Sequence, residues 1–270
     1  MKPTLRFKKH QFADTVLLHD FPFEFKELKE ALSGTDIPLN SSSPFTTSSP
    51  KVPKRQRKQK NGKKFFQMFP VNQSEWNKNL RNSLKNFDWH PEPIADGSIA
   101  GKKAKSGLKG DFVKNGVFVE VEFGNIASAY RDLFKFLVSH DNGQARVGVL
   151  VTATRRLASL MDQGVADFES VQKNIFPYLR ITPMPILFIG LDYQDSDEHI
   201  LRHKYDEMYS VATSNGVQCH PSEVFFGNSS DIEETEDSEG DQSDDSVETM
   251  TPNTDIPRQS GFSRTTFPIL

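Results

Sequence analysis

The stretch at residues 111–123, DFVKNGVFVEVEF, constrains this chain more than any other. Its Asn115-Gly116 pair tolerates the positive φ that both central positions of a two-residue type I′ turn require, so the flanking runs are predicted to pair antiparallel. Counting outward, Lys114 faces Val117, Val113 faces Phe118, Phe112 faces Val119, and Asp111 faces Glu120. Opposed residues share a face, and so do Glu120 and Glu122 two positions apart, which puts three carboxylates on one open patch. The other face carries Phe112, Val117, Val119, Val121 and Phe123, with Lys114 the exception beside the turn, and is the expected core side.

Directly opposed like charges destabilise a strand pair, so Asp111 against Glu120 needs either free access to water or a cation. Mg²⁺ suits the second case, because it binds through one or two carboxylates together with water and phosphate oxygens. The other possibility is an amphipathic strand whose VEVE alternation keeps one face wet. Spacing alone does not choose between them.

The segment DFVKNGVFVEVEFGN followed by RDLFKF resembles the catalytic hairpin and next helix of the BamHI- and BglII-type restriction endonucleases, a branch of the PD-(D/E)XK nucleases; the likeness runs from about Trp76 to Asp192. By motif position Asp111 matches the family's first metal-binding aspartate, Glu120 its second acidic residue and Glu122 its third motif residue. The resemblance implies that all three are catalytic and metal-binding. It further implies Mg²⁺ as cofactor, double-stranded DNA as substrate, and a homodimer hydrolysing phosphodiester bonds at a short palindrome. Two positions depart from the wider pattern. Gly110 stands where many relatives have Pro or an apolar residue, a change expected to matter little. Glu122 stands where most of the superfamily has Lys, as in the BamHI-like branch, whereas BglII-like members have Gln. Three alternatives remain: a repair or recombination nuclease of the same superfamily, a non-enzymatic DNA-binding protein on the same fold, and an interaction protein whose hairpin is structural.

Charge is consistent with a polyanion partner once its distribution is considered. The net charge is -3, yet ten acids and no base lie between Asp231 and Glu248; taking those ten negative charges away leaves +7 for the remainder. That remainder is basic. A hydrophobic content of 36% and a mean hydropathy of -0.56 imply that part of the 270 residues is unpacked. The single cysteine, Cys219, excludes an intramolecular disulfide and a cysteine-rich zinc site. With no apolar run near membrane-span length and no signal-peptide core, the chain is expected to be soluble, without membrane contact, and cytoplasmic and nucleoid-associated, or nuclear in a eukaryotic host.

The expected organisation is an α/β fold, a mixed β-sheet flanked by helices. Residues 1–35 supply an N-terminal strand and helix, 36–64 a Ser/Pro-rich and basic linker, 65–226 the nuclease core, and 227–270 an acidic, disordered tail. VLLHDFPFEF reads as extended, and the following helix carries Phe25, Leu28, Ala31 and Leu32 on one face up to Gly34. Glu27 and Glu30, on its wetter side, are read as solvated charges. The basic run that includes Lys54, Arg55, Arg57 and Lys58 is a candidate phosphate-binding arm. Trp76, Leu80, Leu84 and Phe87 mark an amphipathic helix whose other side carries Lys78, Arg81 and Lys85. Lys102, Lys103, Lys105 and Lys109 flank the carboxylate hairpin on its approach side. After it, Asn125 is expected to cap a helix with Ile126, Tyr130, Leu133, Phe134 and Leu137 as the buried stripe. RVGVLVTAT and PILFIGLD read as buried strands, the first parallel to the hairpin, with DFESVQKNIFPYL helical between them and a last helix over residues 199–210. Arg155 and Arg156, just past a strand end, are further candidate DNA contacts. His140, Cys219 and His220 lack partners at ligand spacing and are expected to be inert.

Overall fold

The computed structural model describes residues 1–41, 57–58, 64–65, 68–95, 108–162 and 164–226. The chain opens with β1 (Thr4–His10), α1 (Ala13–Asp20) and α2 (Pro22–Gly34). Two short strands, β2 (Arg57–Lys58) and β3 (Lys64–Phe65), pair with each other before α3 (Gln73–Asn86). Next come β4 (His90–Pro91), β5 (Phe112–Lys114), β6 (Val117–Val121) and α4 (Ile126–Asp141). The remainder is β7 (Val147–Ala153), α5 (Arg155–Ala158), α6 (Phe168–Asn174), β8 (Ile186–Asp192), α7 (Glu198–Ser214) and α8 (Glu223–Phe226).

Six strands form one mixed sheet in the order β1-β8-β7-β6-β5-β4. Its centre, β6-β7-β8, is parallel, while β1 joins one edge and β5 and β4 the other in antiparallel fashion. The hairpin has the register counted from its sequence, Phe112 opposite Val119 and Lys114 opposite Val117, around a turn with φ of 49° at Asn115 and 92° at Gly116. Both values lie where Asn and Gly are tolerated best, and this fixes the register of the strand that carries Glu120.

The sheet is buried on both faces, as expected for β7 and β8, and this corrects the expectation of one core side for the hairpin. Phe112, Val117, Val119, Val149, Val151 and Ile189 pack with α1, α2, α3 and α7; Phe118, Leu150, Ile186 and Phe188 pack with α4 and α6. Two glycines permit the close approach on the second face. A Cβ on Gly148 would lie 3.1 Å from the Phe136 ring of α4, and one on Gly190 would lie 2.7 Å from the Phe168 ring of α6. VLLHDFPFEF is also corrected: it is helical, spanning α1 and the start of α2. Ala13 and Leu17, four apart, bury together, and Pro22 sits in the first turn of α2, where its missing N–H costs nothing. The strand of this region is instead β1, whose mostly exposed, lysine-bearing sequence hides the signal while suiting a sheet edge. Pro177 splits the single helix expected after residue 167 into α6 and a 3-10 turn at Phe176–Ile181.

Candidate active site

The carboxylates sit at the end of the hairpin, between α3 and α4. Trp76 of α3 stacks on Phe123 with ring centres 5.1 Å apart, and Gln73 Nε2 donates to Phe123 O at 2.8 Å, which fixes α3 against the end of β6. Asn125 caps α4 as expected, its side chain accepting from Ser128 N. The phase of α4, however, differs from the expected one. Ala129, Asp132, Lys135, Phe136 and Ser139 face inward; Ile126 and Leu133 reach the core only in part, and Tyr130 and Phe134 are exposed. The expected stripe is therefore half-buried and turned to solvent at Tyr130 and Phe134, while two charged residues, Asp132 and Lys135, take inward positions.

Burial of Glu120 accounts for that rotation. This carboxyl is 1% exposed, not on an open patch, and an ionised carboxylate that deep needs a partner. Lys135 Nζ, itself 5% exposed, lies 3.0 Å from Glu120 Oε2 and 2.7 Å from Asp132 Oδ1. The other oxygen, Glu120 Oε1, is buried and has no hydrogen-bond partner among the described residues. Burial, then the negative charges of Asp132 and Asp111, push the Glu120 carboxyl up to about 9 against the pull of Lys135. Burial works against the Lys135 ammonium, but Glu120 and Asp132 outweigh it and hold its pKa above the usual lysine value.

Asp111 is better solvated. Its Oδ2 accepts from Val121 N at 2.8 Å, and its Oδ1 lies 3.6 Å from an Arg81 nitrogen. Together with Asn77, Leu80, Arg81, Phe112 and Val121 it lines a cleft of about 100 Å³. Glu122 is held by Gly124 N, which donates to its Oε1, and by Arg131 at 3.9 Å from its Oε2. Its carboxyl is pushed up to about 7, first by burial and then by the charge of Asp132, against the Gly124 N–H and Arg131.

The hairpin thus brings Asp111, Glu120 and Glu122 to one end of the sheet and adds Asp132 from α4. Among the described residues, no three His, Cys, Asp or Glu side chains are arranged as a metal cage. Two carboxylates suffice for Mg²⁺ when water and phosphate complete its shell. The unpartnered Glu120 Oε1 and the all-oxygen donor set fit such a hard cation.

Gly110 matters more than its sequence position suggested. A Cβ there would fall 2.2 Å from the Phe118 ring and 3.0 Å from Glu120 Oε1. Any side chain would displace the strand face that presents Glu120.

The other sequence candidates separate clearly. Lys109 is 58% exposed and makes a 3.4 Å contact with Glu92, so it remains available beside the site. Arg155 is likewise exposed, with Asp167 3.4 Å away. Arg156 is held within the protein by three of its five N–H donors: its guanidinium bridges Asp192 and Asp195, donates to Tyr193 O at 2.8 Å and stacks 4.0 Å from the Tyr193 ring centre, with the side chain 34% exposed. Lys54, Arg55, Lys102, Lys103 and Lys105 lie outside the described residues, as do the side chains of Arg57 and Lys58 and the segment 227–270. Glu27 binds Lys114 at 2.8 Å and Glu30 pairs with Lys26, so neither belongs to the site. His140 Nδ1 is 3.0 Å from Ala145 O, and burial pushes the Cys219 thiol up to about 11, far from a nucleophile's range. Sequence reasoning missed Asp132 and Lys135. Their signal was present, an acid and a base three apart inside the apolar run RDLFKF.

The profile of the restriction endonuclease BglII/BglIII family matches residues 5–191. The type II restriction enzyme BamHI of Bacillus amyloliquefaciens is 26% identical over 122 residues, which is 42% of this chain and 55% of that enzyme; the chain thus spans about half the length of this curated relative. The crystal structure of restriction endonuclease BglII complexed with a DNA 16-mer superposes with a TM-score of 0.52 at 17% identity, over 71% of this chain and 77% of that one. That of free BglII gives 0.47 at 16% identity, over 71% and 80%. The likeness to the first of these structures is one of fold: a mixed sheet with flanking helices.

Proposed function

The chain belongs to the restriction endonuclease BglII/BglIII family, and from that premise we propose that it is a Mg²⁺-dependent endonuclease hydrolysing phosphodiester bonds of double-stranded DNA at a short site. The observation that carries this reading is the buried Glu120 Oε1, unpartnered among the described residues, in a cluster of carboxyl groups beside the buried Lys135. Asp111 and Glu120 would hold the cation. When bound, it supplies charge stabilisation at the scissile phosphate and makes an attacking water more acidic. Glu122, with its carboxyl pushed up to about 7, is suited to take the proton of that water as the water oxygen bonds to phosphorus and the ester P–O bond breaks, the departing oxygen taking a proton from solvent. Arg81, which lines the cleft 3.6 Å from both Asp111 and Glu92 with its side chain 42% exposed, is placed to meet the DNA backbone, and Lys109 and Arg155 extend the basic surface. The DNA 16-mer bound by the similar BglII structure agrees with this substrate class.

A homodimer fits the same reading, because a symmetric pair reads a symmetric site. The outward face of α4 supports it: Tyr130 is 43% and Phe134 54% exposed, two aromatic rings one helical turn apart. Phe134→Glu is expected to shift the protein from dimer to monomer in sedimentation equilibrium, with its melting temperature little changed. An unaltered dimer would place the interface elsewhere.

The cation requirement is tested by stability as well as by activity. Glu120 and Glu122 have folded-state values raised above the usual 4.5, so the native state holds protons that the unfolded chain releases. Their contribution is fully present below about 4.5 and is lost as pH rises, through about 7 for Glu122 and about 9 for Glu120. In EDTA the melting temperature is therefore expected to fall between about pH 5 and pH 9, and Mg²⁺ to restore it most at the alkaline end, where protons no longer compete for the carboxylates. Equal stabilisation by Mg²⁺ at both ends of that range would argue against these carboxylates as its ligands.

A further inference from the structure

We propose that Lys135 is a positioning residue of this site: by holding one oxygen of Glu120 it turns the other toward Asp111, where the cation is held. The inference rests on the nuclease reading above and assigns a task to a side chain outside the hairpin. Glu120 has its two oxygens divided. Oε2 meets Lys135 Nζ at 3.0 Å, whereas Oε1 lies 3.0 Å from the point where a Cβ would sit on Gly110, the residue before Asp111, whose charge acts on this carboxyl. The glycine leaves room for that oxygen, and the lysine occupies the alternative direction. Lys135 is fixed in turn by Asp132 at 2.7 Å, one helical turn earlier.

Stability alone is a poor reason for such a lysine. Burying an ammonium costs several kcal/mol after relaxation, and replacing a buried ion pair by packed apolar groups is often neutral or stabilising. An apolar side chain at 135 could fill the space but could not fix the Glu120 rotamer. Hydrogen-bond partners that orient ligating carboxylates typically alter metal affinity or activity by about 10- to 100-fold when removed. Charge alone has the opposite sign: removing a cation makes the site more negative and should strengthen cation binding. Orientation and charge therefore predict opposite outcomes for one substitution.

Lys135→Met retains most of the stem volume and removes the donor. The full-length variant is compared with wild type for Mn²⁺ affinity, by counting free ion with electron paramagnetic resonance, and for single-turnover cleavage of plasmid, with gel shifts to check DNA binding. Mn²⁺ affinity is expected to weaken about tenfold or more and cleavage to fall about a hundredfold, with DNA binding unchanged. Mn²⁺ affinity equal to or above wild type, or cleavage within about threefold of it, overturns the inference. If Lys135→Met does not fold, the decision passes to Lys135→Met/Asp132→Asn, which removes the lysine together with its second carboxylate and so leaves no added buried charge, measured against Asp132→Asn alone. A further loss of Mn²⁺ affinity in the double variant upholds the positioning role. Equality of the two shows that Lys135 is only the counter-ion of Asp132. A wild-type protein that neither binds Mn²⁺ nor cuts DNA defeats the nuclease reading itself, whereas a wild type that does both, beside an unaffected Lys135→Met, defeats only this inference.

Discussion

Glu120→Gln is expected to lose cleavage while losing no stability. The amide keeps the volume of the carboxyl and an oxygen to accept from Lys135, but cannot carry the negative charge that a cation needs. The single-turnover rate should fall about a thousandfold or more, some 4 kcal/mol in the barrier. In EDTA at about pH 9 the variant should melt at or above the wild-type temperature, because it has no buried carboxyl to ionise. Glu120→Ala differs, since it leaves Lys135 without one of its two carboxylates in a buried setting and opens a cavity; removing one partner of a buried pair costs about 3–5 kcal/mol. A Gln variant that cuts DNA normally would remove Glu120 from the chemistry. One that is inactive only because it is unfolded would leave Glu120 a packing residue.

Glu122→Lys is expected to abolish cleavage while leaving DNA binding intact or stronger. The substitution places a cation beside Arg131 and exchanges a proton acceptor for a group that is charged at neutral pH and repels a divalent ion. Glu122→Gln should be milder in binding but still slow in chemistry, since an amide accepts no proton. Wild-type cleavage should climb with pH in a first limb through about 7 as Glu122 ionises and in a second toward about 9 as Glu120 gives up its proton to the cation. The Gln variant should lose the first limb. Single-turnover rates across this range, with gel-shift affinities for each variant, check both statements; wild-type rates for Glu122→Lys would remove this residue from metal binding and from proton transfer together.

The hairpin was legible because its register depends on two turn residues and a period of two, all local. β7 and β8 were legible as near-continuous apolar runs, and α3 as a wide apolar stripe. The depth of Glu120 was not, since alternation along β6 gives the same pattern whether α4 covers that face or water does. The phase of α4 failed for a related reason. Its apolar residues define a stripe, but the inward face was chosen by the need of Glu120 for a buried base, a partner fifteen residues away along the chain. Arg156 likewise looked free beside a strand end, and its partners Asp192 and Asp195 are set next to it only by the parallel pairing of β7 with β8. The edge strand β1 gave no apolar signal because an edge gains from staying charged.

The most direct test of the whole account is to incubate the purified protein with a mixed-sequence plasmid in Mg²⁺ and in EDTA, beside Asp111→Asn, and to map the ends produced. Asn at that position can still accept from Val121 N, so its fold should persist. The expected result is a discrete set of fragments in Mg²⁺ alone, all ending at one short sequence, and none from Asp111→Asn. Cleavage that survives EDTA, or an Asp111→Asn protein that yields the same fragments at the same rate, would contradict it.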